Sequence, residues 1–454
     1  MQAPLAVLAG LFAAGSAQDP LVVHEWGTFT SLQDEEGRCL GGINSDDEPV
    51  PEFVHGMADE LLLGPHELAP GFFQGAPRCH PDVTLRLETP VVYFHPGEDH
   101  PDPLALDFQV SFRGGWLTEY YPDAALEAPG LDSHSFLQYG PLAAGTVSTL
   151  AWRGLSVGGE HPGPATEEHV WLAPRRVAAA DVTAAGGESE RYLFYRGVGN
   201  LDAPLRVRRE GGELLLHARL PASLAEGASL RVPALWLADV RPDGTAAWRA
   251  LGPLAVGADP EPVLARVPAS FDGGDYGAER RAALYASMRA SLVAAGLFAD
   301  EAEAMLATWE LSYFQSHGLR LFFVLPPAWV DHHLPVELSV PADLTRVMVG
   351  RIELVTARQR ELLAAVAAGP TSDSRWFYEQ FGPAGGGDSD EFWELWSKIT
   401  SGRASLLDAD LELPPDYRAY VELGRFRDAL VLDELARRPT EGLRAFVGSY
   451  GIQP

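Results

Sequence analysis

Lysine is almost absent from this chain: Lys398 is the only one, and arginine carries the remaining positive charge. Schiff-base chemistry, which needs a lysine amine, therefore has a single residue to draw on. Positive charge as a whole is scarce, with 34 Lys and Arg against 63 Asp and Glu and a formal net charge of −29. A surface of that sign repels nucleic acid and anionic lipid, which excludes both as partners. Cysteine is limited to Cys39 and Cys79, and no Cys-x-x-Cys spacing points to a zinc ribbon. Long apolar runs are missing too. The one candidate, Leu5 to Ala14, is about ten residues long, too short to span a bilayer. Followed by Gly15-Ser16-Ala17, it has the form of a secretory signal cleaved before Gln18, although Met1 to Pro4 lack the usual basic residue. Export to the periplasm, cell surface or medium is the expectation. An oxidising compartment would let Cys39 and Cys79 pair. Closing a loop of that size would stabilise the fold by roughly 4 kcal/mol.

The first half reads as strands. Val83 to Glu88 alternates, Pro90 interrupts it, and Val91 to Phe94 resumes as a buried run. Further strands are expected over Leu106–Phe112, Trp116–Tyr121, Thr146–Trp152, Arg191–Tyr195, Leu205–Arg209, Leu214–Leu220 and Leu230–Val240. Short strands punctuated by Gly and Pro predict a β-sandwich region, one sandwich or two, over residues 18–257 behind a signal at 1–17. Proline and a Gly-Gly pair mark a boundary over 257–274. An α+β domain follows over 275–381, with a helix over Ala278–Ala295, a second helix capped by Asp300, and an alternating strand from Arg346 to Leu354. Thr356 with Gln359 has the spacing of a capping box. Beyond a glycine-rich linker, residues 388–454 predict a helical tail. The fold class expected is α+β.

Several segments are distinctive in composition: His24-Glu25-Trp26-Gly27-Thr28-Phe29-Thr30-Ser31, Glu88 to Phe94, Leu117-Thr118-Glu119-Tyr120-Tyr121-Pro122, Leu193 to Gly199, Ala302 to Pro326, and Val349 to Glu353. Together they resemble a family of exported bacterial proteins to which no activity is attached. The resemblance spans most of the chain and implies one exported protein rather than a fusion. It transfers no catalytic role.

The candidate chemistry lies in the same segments. On a strand, His24, Trp26, Thr28 and Thr30 face one way and Glu25, Gly27 and Phe29 the other. Glu25, Glu88 and Glu119 each lie near an aromatic residue (Trp26, Tyr93 and Tyr120), as a sugar-binding cleft with paired carboxyls requires. Arg196 is a candidate anion clamp. With His24 these carboxylates are the residues to test for catalysis; the alternative is that the glutamates and aromatics are structural. Gly154-Leu155-Ser156-Val157-Gly158 matches a nucleophile-elbow string, but the Gly- and Pro-rich stretch after it cannot open a helix. Asp46 and Asp47, and separately Asp388 and Asp390, are calcium candidates without EF-hand spacing. A transition-metal site could be composed from His24, His169 and a carboxylate. The helix after Asp300 carries a polar stripe, Glu303, Glu310 and His317. Two readings follow. The first is a non-catalytic extracytoplasmic binding or structural protein with a polysaccharide or protein ligand. The second is a secreted hydrolase acting on a glycan or similar polymer. A cleft holding two free carboxyls would favour the hydrolase, and carboxyls each satisfied locally would favour binding.

Overall fold

The computed structural model describes residues 20–44, 50–57, 72–73, 75–129, 140–221, 224, 230–256, 263–371, 413–450 and 452. Its centre is one large mixed sheet. The strands used below are β1 (Leu21–Gln33), β2 (Leu85–His95), β3 (Leu104–Arg113), β4 (Gly115–Tyr121), β5 (Val147–Val157), β6 (Leu193–Gly199), β7 (Leu235–Val240), β8 (Ala246–Ala250), β9 (Gly318–Val324) and β10 (Ala342–Leu354). Their order across the sheet is β5-β4-β6-β2-β1-β10-β9-β7-β8, with β3 paired to β5. β1 runs antiparallel to β2 but parallel to β10 along its whole length, Leu21 opposite Ala342 through Gln33 opposite Leu354.

That parallel pair corrects the expected N-terminal β-sandwich. The first strand of the chain does not fold back within the first half. It is zipped to a strand from the second half, and the sheet is continuous from β5 to β8. Neighbours on both edges and cover on both faces explain why β1 is buried almost throughout.

One face carries Leu21, Val23, Phe29, Phe94, Met348 and Ile352, packed with Trp329 and Val330 of helix α3 (Pro327–His333). The opposite face carries Trp26, Tyr93, Val347 and Val349, covered by helices α1 (Glu279–Ala294) and α2 (Ala299–Thr308). Leu32, at the far end of that second face, packs instead with α4 (Ala357–Val366), α5 (Pro415–Glu422), α6 (Arg427–Arg437) and α7 (Glu441–Tyr450). The Thr356–Gln359 capping box forms as expected at the start of α4. Among the described residues no helix is long and apolar enough to cross a membrane.

Gly154 to Gly158 provides no nucleophile elbow. Ser156 lies within β5, opposite Ala105 and Thr183, where a side chain follows the pleat of the sheet. The cysteines do not form the expected disulfide: they are far apart and both are free thiols. Cys39 lies beside the Gln33 amide, while Cys79 lies 3.6 Å from an Asp428 carboxylate oxygen on α6. Burial pushes both thiols up to about 12, so each remains protonated.

Candidate functional site

A bulge between β1 and β2 decides which polar residues meet. Trp26 is opposite Val91, but Thr28 is opposite Glu88, so β2 holds one more residue than β1 across this step. Before the bulge, Tyr93 shares the face of His24. After it, Arg86 and Glu88 share the face of Thr30 and Thr28. Without the extra residue Arg86 and Glu88 would point to the opposite side. The bulge needs special backbone: Thr89 adopts φ 46, in the left-handed region. It also needs a bare Gly27, where a Cβ would come within 3.0 Å of the Met348 sulfur and of Pro90.

The three glutamates expected to do acid–base work are each buried and each held by arginine. Glu25 points to the α3 face, 0% exposed. Its direct neighbour on β10 is Arg346, whose Nε donates to Glu25 Oε2 at 2.5 Å, and the Tyr195 hydroxyl donates to Oε1. Burial alone would pull the Arg346 pKa down, but the adjacent Glu25 charge outweighs it and holds the guanidinium above its ordinary value. Glu119 on β4 lies directly opposite Arg196 on β6, and the arginine Nε donates to its carboxylate. Glu88 accepts from the Thr30 hydroxyl at 2.7 Å and from Arg425 at 2.6 Å, with Arg86 Nε 3.4 Å away.

The proposed stacking residues lie inside the protein as well. Trp26, Tyr93 and Tyr120 are 0% exposed, and Tyr93 donates its hydroxyl to the Pro174 carbonyl. Arg196, the candidate anion clamp, is buried in its pair with Glu119. A Trp side chain sealed this completely contributes about 2–3 kcal/mol through apolar burial. It has no face left for a ligand.

Beyond Glu88 the same face continues as a layer of arginines. Arg351 Nε donates to Glu353 Oε1 at 2.6 Å, and Arg320 Nε lies 3.2 Å from that oxygen. Arg320 also donates to the carbonyls of Ser312, Tyr313 and Ser316. These carbonyls belong to a π-helical turn, Leu311–Gln315, and to the residue after it. Burial, reinforced by Arg351 and Arg425, brings the Arg320 pKa down to about 10 despite the Glu353 charge.

A narrow pocket of about 20 Å³, lined in part by Arg320, Arg351 and Arg425, lies beside a groove of about 580 Å³. The two share His317, Gly318, Leu319 and Gln359. The groove lies between the β7 end, β9, α4 and α5. Its walls are largely apolar, from Val240, Pro242, Tyr276, Leu319 and Leu362, and it also includes Arg241, Arg358 and Arg418. Arg241 lies 3.3 Å over the Tyr276 ring, and Arg358 reaches Glu422 at 3.1 Å. Arg418 is exposed and makes no ion pair among the described residues. Sequence reasoning placed His317 in a helical stripe with Glu303 and Glu310, but missed the groove. Glu303 instead pairs with Arg289, and His317 meets the Glu422 carbonyl.

At the other end of β1, His24 does meet a histidine and a carboxylate, the histidine being His95 rather than the expected His169. His24 Nδ1 is 2.7 Å from Glu301 Oε2, and His95 Nε2 is 2.9 Å from Glu301 Oε1. The Phe298 N–H donates to Glu301 Oε2 as well, so Glu301 ties down the start of α2. Burial favours the neutral acid, but these three hydrogen bonds outweigh it and bring the Glu301 pKa down to about 2. Asp300, expected to cap this helix, accepts from Ala178 N–H instead. His169 bonds the Ala307 carbonyl and takes no part in the cluster. His24, His95 and Glu301 form the group of metal-ligand type among the described residues, with donor atoms all within 4.8 Å of one another. The calcium candidates Asp46, Asp47, Asp388 and Asp390 lie outside the described residues.

No family model matches the chain, and no curated protein does. Among solved structures it is matched to the Danio rerio Fcho1 mu homology domain with bound Eps15 peptide, at a TM-score of 0.25 and 10% identity. That match covers 74% of this chain and 97% of the other. A second is the yeast delta-COP-I mu-homology domain complexed with a Dsl1 WxWxV peptide, with a TM-score of 0.23, 7% identity, and coverage of 75% and 98%. Likeness at that level carries no argument for fold or function.

Proposed function

We propose that this is a non-catalytic binding protein acting outside the cytoplasm, and that its ligand is an acidic segment of another protein. One observation carries the non-catalytic reading: Glu25, Glu88 and Glu119 are all buried and each is bound to an arginine. A general acid or base must reach the reacting atoms and exchange a proton with them. A carboxylate held by a guanidinium inside a core does neither. The export half of the proposal rests on the apolar stretch Leu5 to Ala14.

The groove beside Arg418 supports the choice of ligand. Its volume of about 580 Å³ falls within the usual range for small-ligand sites. Apolar walls suit a Leu or Val side chain, and the guanidinium of Arg418 suits a carboxylate. A polysaccharide would need flat aromatic faces, and the tyrosine in the groove, Tyr276, is covered by Arg241. A short peptide with one carboxylate meets far less repulsion from the acidic surface than a nucleic acid or an anionic bilayer does, and at physiological salt charges farther than about 8 Å away are largely screened.

The test is fluorescence polarisation with a pool of short labelled peptides, each pairing one Asp or Glu with Leu or Val. Micromolar binding is expected, weakened about tenfold by Arg418→Ala, which corresponds to about 1.4 kcal/mol. No binding by any peptide, or equal binding by the variant, would overturn the ligand assignment.

A further inference from the structure

The cluster at the amino end of β1 is independent of the groove and has a chemistry of its own. We propose that His24 Nδ1, His95 Nε2 and a Glu301 carboxylate oxygen form a binding site for a divalent transition-metal ion of the zinc type. Two imidazole nitrogens and one carboxylate oxygen make a donor set that suits zinc and its neighbours. Calcium and magnesium prefer all-oxygen surroundings and are poorly served by it.

The elements that bring the three groups together are rigid. His24 pairs directly with Tyr93, and His95 follows two positions along β2, so the imidazoles are diagonal neighbours on one sheet face. Glu301 descends onto them from the first turn of α2. Its carboxylate faces both rings at 2.7 and 2.9 Å, and the three donor atoms lie within 4.8 Å of one another. Ligands around a tetrahedral zinc, bound at 2.0–2.1 Å, are separated by roughly 3.3 Å. An ion is therefore accommodated if the carboxylate withdraws by about half an ångström and the His95 ring closes inward. His95 is the last residue of its strand, and its side chain is 13% exposed.

The surroundings are those of a supported site. The Phe298 N–H fixes one carboxylate oxygen at 2.7 Å, the outer contact that orients a ligand. The Phe298 ring lies 4.5 Å from the His24 ring and 5.0 Å from that of His95, covering both while remaining 46% exposed. It gives the cluster a thin apolar cover beside solvent. Without an ion, each imidazole donates a proton to Glu301 from the nitrogen that would bind metal. On binding, that proton moves to the other ring nitrogen, and the freed lone pair takes the ion. Three protein ligands leave a fourth position to water.

Calorimetric titration of untagged full-length protein, first dialysed against chelator, with zinc chloride alone tests the proposal. One zinc per chain is expected at micromolar affinity or tighter, and calcium chloride in excess should not displace it. His95→Ala and Glu301→Gln should each weaken binding at least tenfold. Circular dichroism checks that both variants are folded, and His95→Ala, at a partly exposed position, is expected to be. Cobalt chloride should give the visible absorption of a four-coordinate ion in the parent and lose it in His95→Ala. Absence of zinc binding, or one zinc held as tightly by both variants, would overturn the assignment.

Discussion

Replacing Arg346 by methionine leaves the Glu25 carboxylate at 0% exposure with the Tyr195 hydroxyl as its remaining side-chain donor. Breaking a buried ion pair from one side costs about 3–5 kcal/mol, because an uncompensated charge stays inside. That is a large share of the 5–15 kcal/mol typical of a folded domain. The opposite change, Glu25→Gln, is milder. Arg346 keeps Asp331 at 3.1 Å and the Leu334 carbonyl at 2.5 Å, and the amide can still accept from Tyr195. A loss of about 1–3 kcal/mol is expected. The double variant Glu25→Leu with Arg346→Met removes both charges and should recover to within about 2 kcal/mol of the parent. Urea unfolding, with the slope checked for constancy, reads all three. An Arg346→Met cost below about 1 kcal/mol would refute the claim that the pair is structural. So would a double variant no more stable than Arg346→Met alone.

Acid sensitivity has an identifiable source. Burial holds the His333 pKa down to about 4 from 6.5, so its neutral form is preferred on folding. The associated stability is complete above pH 6.5 and is lost as pH falls towards 4, by about 2–3 kcal/mol; urea midpoints at the two ends, compared with His333→Gln, measure it. Gly27→Ala drives a Cβ against Met348 and Pro90 at 3.0 Å and should destabilise by about 1–3 kcal/mol in the same assay. Both cysteines are free, Cys79 buried and Cys39 partly exposed, and desolvation holds both as thiols, so a thiol reagent should label both slowly in the native protein, Cys79 the more slowly, and both rapidly after unfolding without reductant. A chain that needs reductant for labelling would contradict the free-thiol assignment.

Much of the local structure was legible in the sequence, because it depends on neighbours a few residues apart. The alternating run before Pro90, the α1 helix and the Thr356 capping box all fall where the pattern puts them. What could not be read is pairing at a distance. Glu25 and Arg346 meet across 321 residues, and nothing in either segment selects the other. That single pairing turns an expected sandwich into one continuous sheet. Pro90 signalled an interruption, but not that the strand resumes on the other parity, which brings Glu88 to Thr28 and Thr30.

The metal-type cluster was half visible. His24 was singled out, and the two-residue alternation from Tyr93 to His95 would have placed His95 on the same face once β1 and β2 were paired. Glu301 was hidden by its position. Of the expected stripe only Glu303 lies on α2, on its solvent side, while Glu310 and His317 lie beyond its end; Glu301 turns inward at the first turn to close the helix start.

Hydrogen–deuterium exchange with and without a bound acidic peptide tests the central claim most directly, since it locates the ligand as well as detecting it. Protection confined to residues 239–242, 276, 317–319, 356–362 and 418–422, the stretches that line the groove, is the predicted result. Protection centred instead on Glu25, Glu88 and Glu119, or none at all with saturating peptide, would contradict it.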